Sequence, residues 1–174
     1  MISILIVGLD NAGKSSLVAH SKPMPQEGII EIPPTLGFSI EEITMPRGER
    51  GIVYDVSGAG RYRQMWDHFV GEVSGVVYVI DSTDKERLTV VKQTIHEFLK
   101  HPLLRKKPVV FLANKQDLPN ALAKDQLKRL LALDAKYISS PFSVKHSKGT
   151  TGMGFNDALT FIETNQRNKL IFNS

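Results

Sequence analysis

The chain contains no cysteine, which excludes disulfides, thiolate metal sites and cysteine lipidation. No apolar run approaches the length of a membrane span, and there is no internal repeat or low-complexity tract. Nor is there an excess of one charge: 22 basic against 18 acidic residues leave a net +4. The densest basic cluster, Arg105-Lys106-Lys107, is short and precedes a strand, as a solvated loop would, so no nucleic-acid partner is expected. Met1 runs directly into an apolar strand with no signal peptide between them, and the expectation is an intracellular protein. What is present is ordinary for one globular domain spanning residues 1–174, with 41% hydrophobic and 23% charged residues.

One stretch organises the rest. Gly8-Leu9-Asp10-Asn11-Ala12-Gly13-Lys14-Ser15 follows an apolar run, Ile2–Val7, and leads into the helical pattern Ser16-Leu17-Val18-Ala19. Gly, four variable residues, then Gly-Lys-Ser between a strand and a helix is the pattern of a phosphate-binding loop. Its glycines let successive N–H groups turn inward on a phosphate, aided by the positive end of the helix. Lys14 adds a charge for the β- and γ-phosphates, and the Ser15 hydroxyl can hold Mg²⁺.

After a short helix to about His20, residues 21–37 carry Pro23, Pro25, Pro33 and Pro34 and show no periodicity. A loop of that length in a compact domain is functional or disordered. Residues 38–44 and 51–56 read as a hairpin around Pro46-Arg47-Gly48, at the edge of a sheet. Continuous apolar runs at residues 75–81 and 108–113 are central parallel strands, and 141–144 a short one. Leu88, Val91, Ile95, Phe98 and Leu99 stripe a long helix, Leu127, Leu130 and Leu131 another, and Phe155, Ala158, Leu159 and Ile162 a last one. Alternating strands and helices predict a doubly wound α/β fold with its ligand at the carboxyl ends of the strands.

Asn114-Lys115-Gln116-Asp117 lies just after a buried strand. A buried carboxylate there accepts two hydrogen bonds from guanine, which adenine cannot supply, and so discriminates sharply. The Lys115 stem lies along the base and Asn114 ties this segment to the phosphate loop. Asp55 ends another apolar strand ahead of Ser57-Gly58, where it can hold a water on Mg²⁺ and Gly58 can turn its N–H toward a γ-phosphate. Thr35 offers a second hydroxyl to the metal.

These motifs, with Pro34-Thr35-Leu36-Gly37-Phe38 and Asn114-Lys115-Gln116-Asp117-Leu118, resemble those of the Arf and Arf-like small GTPases across nearly the whole chain. Gly37-Phe38-Ser39-Ile40-Glu41 and Ser57-Gly58-Ala59-Gly60-Arg61-Tyr62-Arg63, with Trp66 and His68, are most similar to the ciliary Arf-like subtype linked to the Bardet–Biedl coat complex. The resemblance implies a Ras-like P-loop GTPase domain with a six-stranded, mostly parallel sheet, one antiparallel edge strand and helices on both faces. It implies a GTP/GDP switch with Mg²⁺ held by Ser15, Thr35 and, through water, Asp55. Asp10, Asn11, Ala12, Gly13, Lys14, Ser15, Ser16, Thr35, Gly58, Asn114, Lys115, Asp117, His146 and Ser147 would line the nucleotide. Residues 22–36 and 57–69 would be mobile switches, and the hairpin between them, residues 38–54, would slide when the nucleotide changes. Phe38, Tyr54 and Phe69 would form an effector platform, or simply pack the hairpin onto a helix. By the same resemblance the protein is a cytoplasmic monomer at a membrane near the base of a cilium or flagellum, its effector a β-propeller subunit of the ciliary coat.

The chain departs from the family at three places. Ala59 stands where the family carries its water-positioning glutamine, so hydrolysis is expected to be slower than the roughly 10⁻⁴ s⁻¹ of unassisted small GTPases. The amphipathic helix that usually precedes the first strand is not in this sequence, and membrane attachment would need it. Lys145-His146-Ser147 replaces the usual Cys-Ala-Ser or Cys-Ala-Thr beside guanine, so His146 must point away from the base. Two other readings stay open: a module locked on GTP with no turnover, and a P-loop kinase or ATPase, against which Asn114 to Asp117 argues.

Overall fold

A computed structural model describes residues 1–22 and 35–172. The proline-rich segment at residues 23–34, and with it most of the expected first switch, lies outside the described residues.

Six strands form one sheet: β1 (Ile2–Val7), β2 (Phe38–Thr44), β3 (Arg50–Val56), β4 (Gly75–Asp81), β5 (Val109–Asn114) and β6 (Phe142–His146). Their spatial order is β2-β3-β1-β4-β5-β6, with β2 antiparallel to β3 and every other pair parallel. The expected architecture is therefore the observed one. Each central strand is apolar throughout because it is covered twice, and alternation divides its side chains between two cores. Leu5, Val7, Val76, Tyr78, Val109 and Phe111 face one way, against Trp66, Val70, Ile95 and Leu127. Those residues come from α2 (Trp66–Val70), α3 (Leu88–Phe98) and α4 (Lys124–Leu130). Ile4, Ile6, Val77, Val79, Val110 and Leu112 face the other way, against Leu17, Phe155, Leu159 and Ile162. These belong to α1 (Lys14–Ala19) and α5 (Phe155–Phe172).

Gly75 shows how tightly the second layer closes: a Cβ there would lie 2.7 Å from Ile162. The hairpin tip is moored to α5 as well. Arg167 pairs with Glu49 at 2.8 Å, and Arg47 and Arg167 flank the buried Glu163 carboxylate at 3.9 and 3.7 Å. Between β3 and β4 the chain makes a 3₁₀ helix, Gly60–Met65, before α2; a second 3₁₀ helix spans Pro102–Lys106. Periodicity revealed neither, since 3₁₀ turns are too short to repeat a stripe. The basic cluster also differs from a solvated loop at one residue, because Lys107 donates to the carbonyls of Gly71 and Val73.

Leu5 is fully buried whereas Ile40 on β2 is 57% exposed. Leu5→Ala is expected to cost about 2–5 kcal/mol of unfolding free energy, and Ile40→Thr within about 0.5 kcal/mol of zero. Urea unfolding followed by circular dichroism measures both, and equal midpoints for the two variants would contradict this assignment of the core.

Candidate functional site

The carboxyl ends of β1 and β3 open onto one cleft of about 460 Å³, lined from the loop after β1 by Asp10, Asn11 and residues 13–16, by Thr35 and Leu36, and after β3 by residues 57–59, Arg61 and Tyr62. The loop keeps its shape through backbone conformations that most side chains disfavour. Gly8 has φ +146°, and a Cβ there would lie 2.2 Å from the Val79 carbonyl oxygen. Asn11 lies in the left-handed region at φ 62°, a conformation asparagine tolerates. Gly13, at φ +97°, leaves room for the Asn114 amide, which would be 2.4 Å from an added Cβ. Within the loop the buried Lys14 Nζ donates to the carbonyls of Leu9 at 3.0 Å and Gly8 at 3.1 Å. Burial lowers this ammonium to about 8, and the nearby Asp55 and Asp10 carboxylates oppose the shift.

Three oxygens from distant parts of the chain meet beside Lys14. Ser15 Oγ donates to Asp55 Oδ2 at 2.5 Å and lies 2.8 Å from Thr35 Oγ1, itself 3.4 Å from Asp55 Oδ2. Asp55 is 2% exposed, and its Oδ1 is buried without a hydrogen-bond partner. Burial raises the Asp55 carboxyl, while the Ser15 hydrogen bond and the Lys14 charge resist. A lone buried carboxylate with an unused oxygen and two hydroxyls at hand is a donor set that fits Mg²⁺, a hard cation that keeps several waters or phosphate oxygens. Among the described residues no group of three or more His, Cys, Asp or Glu comes together.

On the other side of the phosphate loop Asn114 is fully buried. Its amide donates to the Ala12 carbonyl at 2.8 Å and accepts from Ser147 Oγ at 3.0 Å. Lys115, at φ 64°, reaches Asp81 at 2.6 Å. Burial alone would raise the Asp81 carboxyl, but Lys115 and Thr83 together hold it below the usual carboxylate range. Asp117 differs from the sequence expectation of a buried carboxylate: it is exposed on the rim, with Thr150 Oγ1 at 3.4 Å. The backbone N–H of Ser147 is committed to the Ala113 carbonyl, and His146 is exposed at the end of β6. Gly149 instead packs against Asn114 and Ser16 closely enough that an added Cβ would be 3.3 Å from the amide nitrogen. Sequence reasoning passed over Gly149 and Thr150; the signal available was a glycine soon after a short strand, in the loop facing Asn114.

Around the cleft the structure adds Arg87, which the motifs did not suggest, and places Gly58, Ala59 and the aromatic residues, which they did. Arg87 donates to the Asp10 carboxylate at 2.9 Å and to its carbonyl at 3.1 Å, bracing the loop from outside. Gly58 is pressed against the loop, and a Cβ on it would lie 2.2 Å from the Gly8 carbonyl oxygen. Ala59, half-buried, begins the 3₁₀ helix in extended conformation. The aromatic trio also assembles, with ring centroids 5.1 Å apart for Phe38 and Phe69 and 5.2 Å for Tyr54 and Phe69. Phe38 remains 44% exposed, beside the exposed Leu36 and Ile40. Packing of hairpin on helix and an open apolar surface therefore coexist in the same residues.

Comparison with known proteins agrees with this geometry. The model of the ADP-ribosylation factor family matches residues 1–166. The chain is 35% identical over 164 residues to ADP-ribosylation factor-like protein 6 of Danio rerio, covering 93% of this chain and 87% of the relative. It is 32% identical over 164 residues to ADP-ribosylation factor-like protein 3 of Caenorhabditis elegans, covering 94% and 87%. Among solved structures, the Arl6 BBS3 small GTPase of Trypanosoma brucei with bound nucleotide analogue GppNp matches with a TM-score of 0.86 at 29% identity, over 96% of this chain and 98% of that one. The mammalian SRP receptor structure, at 17% identity and a TM-score of 0.77 over 92% and 99% of the two chains, shares the fold. No helix among the described residues is long and apolar enough to cross a membrane. A phosphate loop, a buried asparagine bonded to it and a family match over almost the entire length lead to one conclusion: this chain belongs to the ADP-ribosylation factor family.

Proposed function

We propose that the chain is a guanine-nucleotide switch that binds GTP and GDP with Mg²⁺ and recruits a protein effector in its GTP form. The observation that carries this reading is the meeting of Ser15, Thr35 and Asp55 oxygens beside the buried Lys14. Lys14 and the backbone of residues 10–16 hold the phosphates, and Asp117 accepts the two guanine donors that adenine lacks. Ser15 and Thr35 would hold Mg²⁺ directly and Asp55 through a water; the ion supplies neutralising charge at the β- and γ-phosphate oxygens. Thr35 and Gly58 belong to the two segments that a γ-phosphate would order, which makes nucleotide state legible to a partner.

Turnover is the weak part of the cycle. The methyl group of Ala59 has no donor or acceptor with which to orient an attacking water, so nucleotide binding persists while hydrolysis slows. That same residue favours a second reading, a GTP-locked binding module, and nucleotide extracted from the purified protein separates the two. The effector platform is Phe38, Tyr54 and Phe69, extended by the exposed Leu36 and Ile40. Likeness to ADP-ribosylation factor-like protein 6 and to an Arl6 BBS3 small GTPase supports a ciliary association; the trafficking coat and its β-propeller subunit as docking element are what the sequence resemblance implies.

Isothermal titration with Mg²⁺ present is expected to show GTP and GDP binding and no competition from ATP at similar concentrations. Neither guanine nucleotide binding to the intact chain would end the reading. Asp117→Asn should weaken GTP by about tenfold to a hundredfold while gaining xanthosine triphosphate, because the amide donates where the carboxylate accepts. In single-turnover assays Ala59→Gln should hydrolyse GTP faster than the parent; identical rates would remove the role given to this position.

A further inference from the structure

The charged residues that line the phosphate cleft are Asp10, Lys14 and Arg61, and only one of them has no partner. Asp10 is answered from outside the cleft by Arg87 at 2.9 Å and by Arg63 at 3.8 Å. Lys14 is buried and donates to the Gly8 and Leu9 carbonyls. Even the two outer arginines are engaged twice, Arg87 with Asp84 and Arg63 with the Gly58 carbonyl at 2.9 Å. Arg61 differs from all of these. It is exposed and, among the described residues, makes no hydrogen bond and no ion pair. Its guanidinium instead lies over the ring of Tyr62, 4.8 Å from the centroid, and Tyr62 lines the cleft as well.

Resting on the guanine-nucleotide reading, we propose that Arg61 is a phosphate-contacting residue: its guanidinium meets the terminal phosphate of a bound nucleoside triphosphate and favours that ligand over the diphosphate. Placement gives the direction. Arg61 belongs to the 3₁₀ helix Gly60–Met65, on the β3 side of the cleft, whereas Asn114 joins the phosphate loop from the opposite side, where the reading puts the base. Phosphates laid along the loop from that base would run toward the segment after β3, and the one farthest from the base would end on the Arg61 side. Charge points the same way. Ser57, Gly58, Ala59, Gly60 and Tyr62 carry no cation, so Arg61 is the one residue of this stretch with a positive charge to offer. A planar guanidinium presents paired N–H donors to phosphate oxygens and does not lose its proton. The stack on Tyr62 restrains the side chain along the helix, so less freedom is lost when it meets a phosphate. Because the contact is on an exposed rim, water and salt screen it, and its effect is moderate and salt-dependent.

The test uses the full chain with Mg²⁺ held constant and compares dissociation constants for GppNp and GDP, at low and high salt, in wild type, Arg61→Ala and Arg61→Lys. Arg61→Ala is expected to lose roughly fivefold to tenfold in affinity for GppNp and to stay within about twofold for GDP. Arg61→Lys keeps the charge without the planar fork and should retain part of the preference. Added salt should erode the wild-type preference for GppNp more steeply than that of Arg61→Ala, which an arginine serving only the fold would not produce. An unchanged affinity ratio in Arg61→Ala, or equal losses for both nucleotides, overturns the inference. So does Arg61→Lys faring no better than alanine, or the same salt dependence in wild type and Arg61→Ala. In each of these cases wild type still binds both nucleotides and the guanine reading stands. Wild type that binds neither overturns that reading, and this inference falls with it.

Discussion

A buried ammonium held by the carbonyls of its own loop is the interaction on which the site depends. Lys14 satisfies the carbonyl oxygens of Gly8 and Leu9, and in trans peptides this turns the N–H groups that follow them away from the lysine. The loop can only close this way because Gly8 and Gly13 take positive φ and Asn11 tolerates it. An ammonium in a buried place is costly by itself, and burial lowers the Lys14 ammonium to about 8. The loop is therefore poised for a polyanion: phosphate oxygens set beside Lys14 would relieve an electrostatic cost the fold has already incurred. Pre-organisation of this kind favours tight binding without large rearrangement of the loop.

Around that centre the sheet topology supplies the other parts. The chain passes from β1 to β3 on one side and to β4 and β5 on the other, so β1 lies where the winding direction reverses. Open α/β sheets bind ligands at such a crevice because loops leave it in opposite directions. Here β3 delivers Asp55 and Gly58 from one flank and β5 delivers Asn114 from the other. Asn114 is the keystone of its flank, joining the Ala12 carbonyl to the Ser147 hydroxyl through one buried amide. Each group arrives at the end of a strand whose register is fixed by two apolar cores, so positional precision at the site is inherited from packing.

Most of the fold was legible because it is written in periodicity. The runs in β1, β4 and β5 and the stripe of α3 report burial on two faces and one face respectively, and these are strong signals. The phosphate loop and Asn114 were legible for a different reason: their chemistry depends on residue type at fixed spacing, and the spacing is local. What stayed hidden depends on distance in space between residues far apart in sequence. Arg63 reaching Gly58 is a local contact without a pattern, whereas Arg87 bracing Asp10 spans 77 residues. Gly149 and Thr150 were missed because the β6–α5 loop carries no periodic signal, and its approach to Asn114 and Asp117 emerges only once the strands are registered. The aromatic trio was legible as one patch only through the family resemblance, since Phe38, Tyr54 and Phe69 lie on three different elements and no local pattern joins them.

The geometry also separates binding from turnover. The groups that meet around Lys14 are the Gly8 and Leu9 carbonyls, the Ser15 and Thr35 hydroxyls and the Asp55 carboxylate, and none of them depends on the side chain at position 59. Ala59 needs only its backbone: it begins the 3₁₀ helix in extended conformation, and its N–H lies 3.4 Å from the Ser57 hydroxyl. A glutamine there would change what can be done to a water while leaving the grip on Gly58 to Trp66 and Arg63. On the proposed reading, loss of a water-orienting side chain would leave nucleotide recognition in place, because the two tasks would be carried by different atoms of the same segment. Duration of the bound state can then be set by whatever groups a partner brings to the open surface beside Phe38 and Phe69, independently of how tightly the nucleotide is held.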